Sequence, residues 1–217
     1  MKRKHKQFRN MDLEKVRLNT GYFFLGLFAV FIGLYPLRFI GLPYEESLLG
    51  SKSETLLKSS IYLTAFYTHI FLGGLALLSG FSQFFKTLRR KRLPLHRALG
   101  KIYVIAVLFS GLAGLGIAFF ATGGIIPSLG FAGLALFWLY TTLNAYTSIK
   151  KIDIDAHQSW MIRSYALCFA AVTLRLYLPL FTGLLNIDFI HAYKIIAWLC
   201  WVPNIIVAEI FIVKKLG

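Results

Sequence analysis

Six stretches of this chain are each apolar for long enough to cross a lipid bilayer, and no other feature restricts its folding as severely. Crossing a hydrocarbon core of ~30 Å as a helix takes ~20 mostly apolar residues. The windows that qualify are Asn19–Leu37, Ser60–Phe85, Gly100–Ala121, Ile126–Ile149, Ser159–Gly183 and Phe189–Val213. Inside lipid the backbone must satisfy its own N–H and C=O groups, so each window reads as a helix. The expected fold is therefore all-α, a polytopic bundle of six transmembrane helices. Residues 1–18 read as a basic cytoplasmic tail and 19–217 as a single six-helix domain. The first window follows that tail as a signal peptide would. No small-residue cleavage pattern appears at "YPLRFIGLPYEE", so it reads as a retained anchor.

Charge decides the orientation. The chain holds 24 Lys+Arg against 9 Asp+Glu, a net +15. In a soluble protein that excess would point to nucleic acid. Here the basic residues sit in short blocks between apolar runs, so topology accounts for them and no nucleic-acid partner is expected. With the N-terminus inside, 19 basic residues fall in inner segments and four (Arg38, Lys52, Lys58 and Lys194) in outer ones, with Arg175 left within a span. Both termini are expected in the cytoplasm of a cell whose inner membrane holds the protein, with anionic lipids meeting the inner basic blocks. Cys168 and Cys200 lie in apolar runs without CxxC spacing and read as inert buried thiols. No Walker loop, GxGxxG, HExxH or GxSxG occurs. Asp153 and Asp155 read as solvated loop charges, Glu209 as reaching water or a neighbouring basic residue, and Pro203 as a bend in the sixth span.

This topology assigns depths to the polar groups. The fifth span runs from inside to outside, with His157 at the cytoplasmic interface and Arg163 one or two turns deeper, close enough to water to be solvated. Arg175 lies ~27 Å from His157 along the axis, in the outer half. Five whole turns separate them, so both point the same way, with Ser164, Cys168 and Ala171 between. A lipid-facing guanidinium is costly, which turns that face toward the bundle. The second span matches it with His69, Gly73, Ala76, Gly80 and Gln83 on one face. His69, ~14 Å below the outer surface by the same rise, is at a depth to share a substrate pocket with Arg175. Gly111, Gly114 and Gly116 of the third span allow close helix approach and would equally leave room for a flat cofactor.

The middle of the chain also divides into two similar halves. Spans two and three are joined by a basic loop ending "LPLHRALGKIY", and spans four and five by one leading to "DIDAHQSWMIRSY". Each returning helix starts with a histidine, followed by Lys101 or Arg163 and then Tyr103 or Tyr165. A parallel duplication would place His96 and His157 at one depth around a central axis, giving a four-helix core of spans 2–5 flanked by spans one and six. Two readings of this pair stand side by side. Either the histidines cap helix starts or meet lipid phosphates, or they ligate haem b iron, with Arg97 and Arg163 on the propionates.

The blocks "HIFLGGLALLSGFSQF", "LHRALGKIYV" and "HQSWMIRSYALCFAAVTLRL" resemble a bacterial family of predicted membrane proteins, domain-of-unknown-function family 2306. That resemblance spans about His69 to Leu180 and implies a multi-pass bacterial membrane protein without an assigned activity. The four-helix core with histidines is more loosely similar to the cytochrome b561 and ferric-reductase group, which implies electron transfer through haem b. That group holds two haems, and here only the His96/His157 pair fits. Two functional expectations result. One is an intramembrane redox component with haem b on His96 and His157, and a quinone or substrate at His69 and Arg175. The other is a non-haem carrier or lipid-interacting scaffold in which His69 and Arg175 bind an anionic substrate and the inner cluster meets phospholipid.

Overall fold

The computed structural model describes residues 20–40 and 48–216, so the basic tail lies outside the described residues. Six helices are long and apolar enough to cross a membrane: α1 (Thr20–Phe39), α2 (Ser60–Ser82), α3 (Leu93–Ala118), α4 (Ile125–Lys150), α5 (Ile154–Leu184) and α6 (Phe189–Lys214). All six expected windows are helical and no strand occurs among the described residues.

Their ends follow local chemistry. Ser59 caps α2 by accepting from the Tyr62 N–H, and Asp188 caps α6 by accepting from the N–H groups of Ile190 and His191. Asp153, expected as a solvated loop charge, caps α5 through the Ala156 N–H at 3.0 Å. The third helix starts at Leu93 rather than Gly100. Pro94 is the cause, since its fixed φ and missing N–H suit a first helical turn. His96 and Arg97 therefore sit on the helix. Gly123 and Gly124, at φ +103° and +86°, supply the left-handed backbone that turns α3 into α4.

The packing forms the expected four-helix core. α2 lies along α3, α3 against α4, α4 against the first half of α5, and that half returns to α2. α6 rests on α4 and on both halves of α5. α1 lies on α2 at a close crossing, where a Cβ on Gly74 would run into the Gly33 carbonyl. Outward faces carry Phe23, Phe31, Ile105, Phe109, Leu129 and Val207, each at least 55% exposed, while Ser79, Ser110, Ser128, Thr141, Thr142 and Ser164 are buried. That inversion of the soluble pattern is what a lipid surround selects.

At the centre of the bundle a hydroxyl circuit joins three helices. Thr142 Oγ1 lies 2.7 Å from the Trp138 carbonyl, Ser164 Oγ 2.6 Å from Thr142 Oγ1, Tyr103 Oη 2.6 Å from Ser164 Oγ, and Trp138 Nε1 3.4 Å from Tyr103 Oη. A carbonyl only accepts, so the single Thr142 hydrogen goes to Trp138. Ser164 must then donate to Thr142, and Tyr103 to Ser164. The circuit begins and ends on Trp138 with every hydrogen committed, and Tyr103, Thr142 and Ser164 are each 0% exposed.

Two helices are interrupted at one level. α5 breaks at Phe169, and α6 at Cys200–Trp201, just ahead of Pro203. Thr173 Oγ1 donates to the Cys200 carbonyl at 2.5 Å, and the Asn204 amide donates to the carbonyls of Ala166 (3.2 Å) and Cys200 (3.0 Å). Side chains thus take up backbone groups that the breaks release.

Candidate functional site

The end of the bundle carrying the 86–101 and 150–163 basic blocks is called the basic end here, and its opposite the far end. Beyond the break in α5, in the far half, lies Arg175. One guanidinium N–H returns to the Ala171 carbonyl (2.9 Å), and the Tyr35 ring of α1 covers the group at 4.7 Å. Tyr193 of α6 and His69 of α2 are its electrostatic neighbours, and Tyr62 is a neighbour of Tyr193. Among the described residues no carboxylate pairs with Arg175.

The geometry of His69 identifies its tautomer. Nδ1 lies 2.9 Å from the Ser110 carbonyl of α3, so Nδ1 carries the hydrogen and the neutral ring has its lone pair on Nε2. Ser110 Oγ donates to the His69 carbonyl at 2.9 Å, tying α2 to α3 twice at one level. Gly114 makes room for the ring, since a Cβ there would stand 2.6 Å from Nδ1. Five helices thus contribute to one polar cluster: Tyr35, His69 with Tyr62, Ser110 with Gly114, Arg175 and Tyr193. His69 and Arg175, read from helix depth as neighbours, lie within electrostatic reach of each other. Tyr35, Ser110 and Tyr193 were not legible in advance, although a lone serine one turn before Gly114 in an apolar run is a usable signal.

At the basic end His96 and His157 also come within electrostatic reach, with Arg89 and Arg97 acting on the same ring. His157 Nδ1 donates to the Ala145 carbonyl at 2.8 Å and presents Nε2 as the lone pair. His96 Nδ1 is buried and has no hydrogen-bond partner among the described residues. Arg163 departs from expectation. Its Nε and Nη2 grip both oxygens of Glu209 at 2.5 and 2.8 Å, and the guanidinium lies over Trp160 at 4.7 Å. The α6 carboxylate approaches this half-buried position, and a two-point fork onto it displaces water. Arg163 is therefore paired with Glu209 at a partly exposed position, and its fork is not held open for a propionate. His191, at the far surface, pairs with Asp188. Among the described residues no three His, Cys, Asp or Glu side chains gather to hold a metal ion.

A family model described as Predicted membrane protein (DUF2306) matches residues 66–212, which takes in every residue of both clusters except Tyr35 and Tyr62. No curated protein and no solved structure matches the chain.

Proposed function

The chain belongs to this family of predicted membrane proteins, matched over more than half its length, and from that premise we propose that it binds an anionic head group in the far half of the bundle. The observation that supports this reading is Arg175, a largely buried guanidinium beneath the Tyr35 ring, with Tyr193 and His69 as electrostatic neighbours and no described carboxylate paired with it. A cation withdrawn from water without a counter-charge is unfavourable, and a bound carboxylate or phosphate supplies one. The remaining Arg175 N–H groups donate to the anion, and the lone pair on His69 Nε2 accepts from its O–H when the head group carries a proton. By the distribution of basic residues the basic end faces the cytoplasm of the cell membrane and the site lies in the outer half.

Thermal unfolding of the purified protein with acetate, dodecanoate, inorganic phosphate and dodecyl phosphate tests this. A ligand that binds the folded state raises Tm by mass action. At least one of the four stabilises the unaltered protein and fails on Arg175→Gln, with Arg175→Lys intermediate because it keeps charge without the fork. Equal responses of all three proteins to all four anions would remove the reading.

A second reading is favoured by one separate observation, the unpartnered His96 Nδ1 facing the reach of His157. The donor set suits a haem iron: two imidazoles, one already oriented by a carbonyl as iron-bound histidines are. His96 and His157 would hold the group, which would supply one-electron transfer when bound, and Arg97, an electrostatic neighbour of His96, would offset its propionate charge. A Soret absorbance that co-purifies with the protein and vanishes in His96→Ala and His157→Ala supports it. A colourless folded protein from haem-replete cells sinks it.

A further inference from the structure

We infer that the Arg175 site takes its ligand sideways from the membrane, and that the ligand is an amphiphile with an anionic head and an acyl tail rather than a water-soluble anion. This rests on the anion-binding reading above and adds the source of the anion. Two observations, one at the aqueous mouth and one at the lipid side, point the same way.

At the aqueous far end the described part of one loop is packed down and tied in place. In the loop between α1 and α2, Leu49 is 1% exposed and packs with Tyr62 and Phe66, with Leu56, Leu57 and Ile117 around them. Lys52 clamps that loop to the end of α3, donating to the Phe120 carbonyl at 2.6 Å and to Thr122 Oγ1 at 2.9 Å. Ser51 Oγ adds a third link to Thr122 at 3.0 Å. Tyr62 belongs to this plug and is also an electrostatic neighbour of Tyr193, so one plug residue lies near the site.

The side of the bundle is different. Arg175 is largely buried, and on the α1 side the Tyr35 ring lies over its guanidinium, backed by Phe39 at 6.1 Å and then Phe66 at 5.7 Å. Exposed apolar side chains flank the place on both helices, Leu34 (48%) and Leu37 (54%) on α1, and Leu176 (45%) and Leu180 (39%) on α5. A head group entering past Tyr35 meets the guanidinium while its chain stays against these leucines in the hydrocarbon. Inorganic phosphate or acetate would have to cross lipid or unseat the plug, and gains no apolar contact on arrival.

The test uses the full chain in nanodiscs of uncharged lipid, with dodecyl phosphate as probe and inorganic phosphate as competitor. The unaltered protein binds dodecyl phosphate, inorganic phosphate in large excess leaves that binding unchanged, and Arg175→Gln weakens it about tenfold or more, as loss of a charged hydrogen bond does. Loosening the plug with Lys52→Met leaves the rate of uptake unchanged, whereas Tyr35→Ala alters it. Competition by inorganic phosphate on equal terms, or faster uptake in Lys52→Met, overturns sideways entry while the anion site stands. Failure of both probes to bind in an Arg175-dependent way overturns the anion site and this inference together. The competition is read on the unaltered protein, so it decides the source of the ligand whether or not Arg175→Gln folds.

Discussion

Removing one oxygen, with Ser164→Ala, should unlatch the centre of the bundle. The change is nearly isosteric, so little cavity forms and the effect is that of the hydrogen bonds. Ser164 takes part in two, accepting from Tyr103 and donating to Thr142, both at 2.6 Å. Its loss strands the Tyr103 O–H as a donor and the Thr142 oxygen as an acceptor, at positions 0% exposed. In water-soluble cores a stranded buried group costs ~1–3 kcal/mol. Within membranes the measured average per bond is nearer ~0.6 kcal/mol with a maximum of ~1.7. Two bonds therefore predict a loss of about 1–3 kcal/mol. The assay is reversible unfolding of the detergent-reconstituted protein by increasing sodium dodecyl sulfate, followed by helical circular dichroism. A second arm sharpens it. In a Tyr103→Phe background Ser164→Ala removes only the bond to Thr142, so the two substitutions must couple by about 0.5–1.5 kcal/mol. A Ser164→Ala protein within about 0.3 kcal/mol of the unaltered one, or strictly additive substitutions, would refute the closed circuit.

Glu209→Gln should destabilise by about 1–2 kcal/mol, between the values for exposed and buried pairs, because Arg163 is 22% and Glu209 44% exposed at the side chain. Arg163→Lys in the same unfolding assay should fail to hold the pair, since it loses both the fork and the Trp160 stack. Gly114→Ala places a Cβ against the His69 ring. It should weaken Arg175-dependent ligand binding without altering helical content, and unchanged binding would detach His69 from the site. At the far surface the His191 ring and the helix N–H groups hold the Asp188 carboxyl below its ordinary value. A depressed carboxyl contributes its cap fully above its unfolded pKa of ~3.9 and loses it as pH falls through the folded value. Amide exchange at the start of α6 should therefore accelerate at acid pH below that range, and Asp188→Asn should flatten the dependence.

What could be read along the chain followed from hydrophobicity and spacing. A run of apolar residues must make its own hydrogen bonds in lipid whatever its neighbours do, so the six windows reappear as α1 to α6. Helical periodicity likewise put Ser164 and Cys168 on an inward face and brought His69 and Arg175 to one depth. Other readings were incomplete for lack of a partner. Glu209 was expected to reach water or a basic residue, but Arg163 as that residue is 46 positions away in sequence, and Asp153 looked idle until α5 began beside it. The break at Phe169 has no proline or glycine to announce it, and its backbone is held by Asn204 from another helix.

The sequence alone thus determined the solvent, the number of crossings and the inward faces of the second and fifth spans, because these are local balances between side chain, backbone and lipid. Only the tertiary structure decided which polar groups meet: the Trp138–Tyr103–Ser164–Thr142 circuit, the Arg163–Glu209 grip and the Tyr35 ring over Arg175. The reason is geometric. A shift of one residue along a helix turns a side chain by ~100°, so partners across helices depend on the rotation and height that packing selects, and no single segment carries that information.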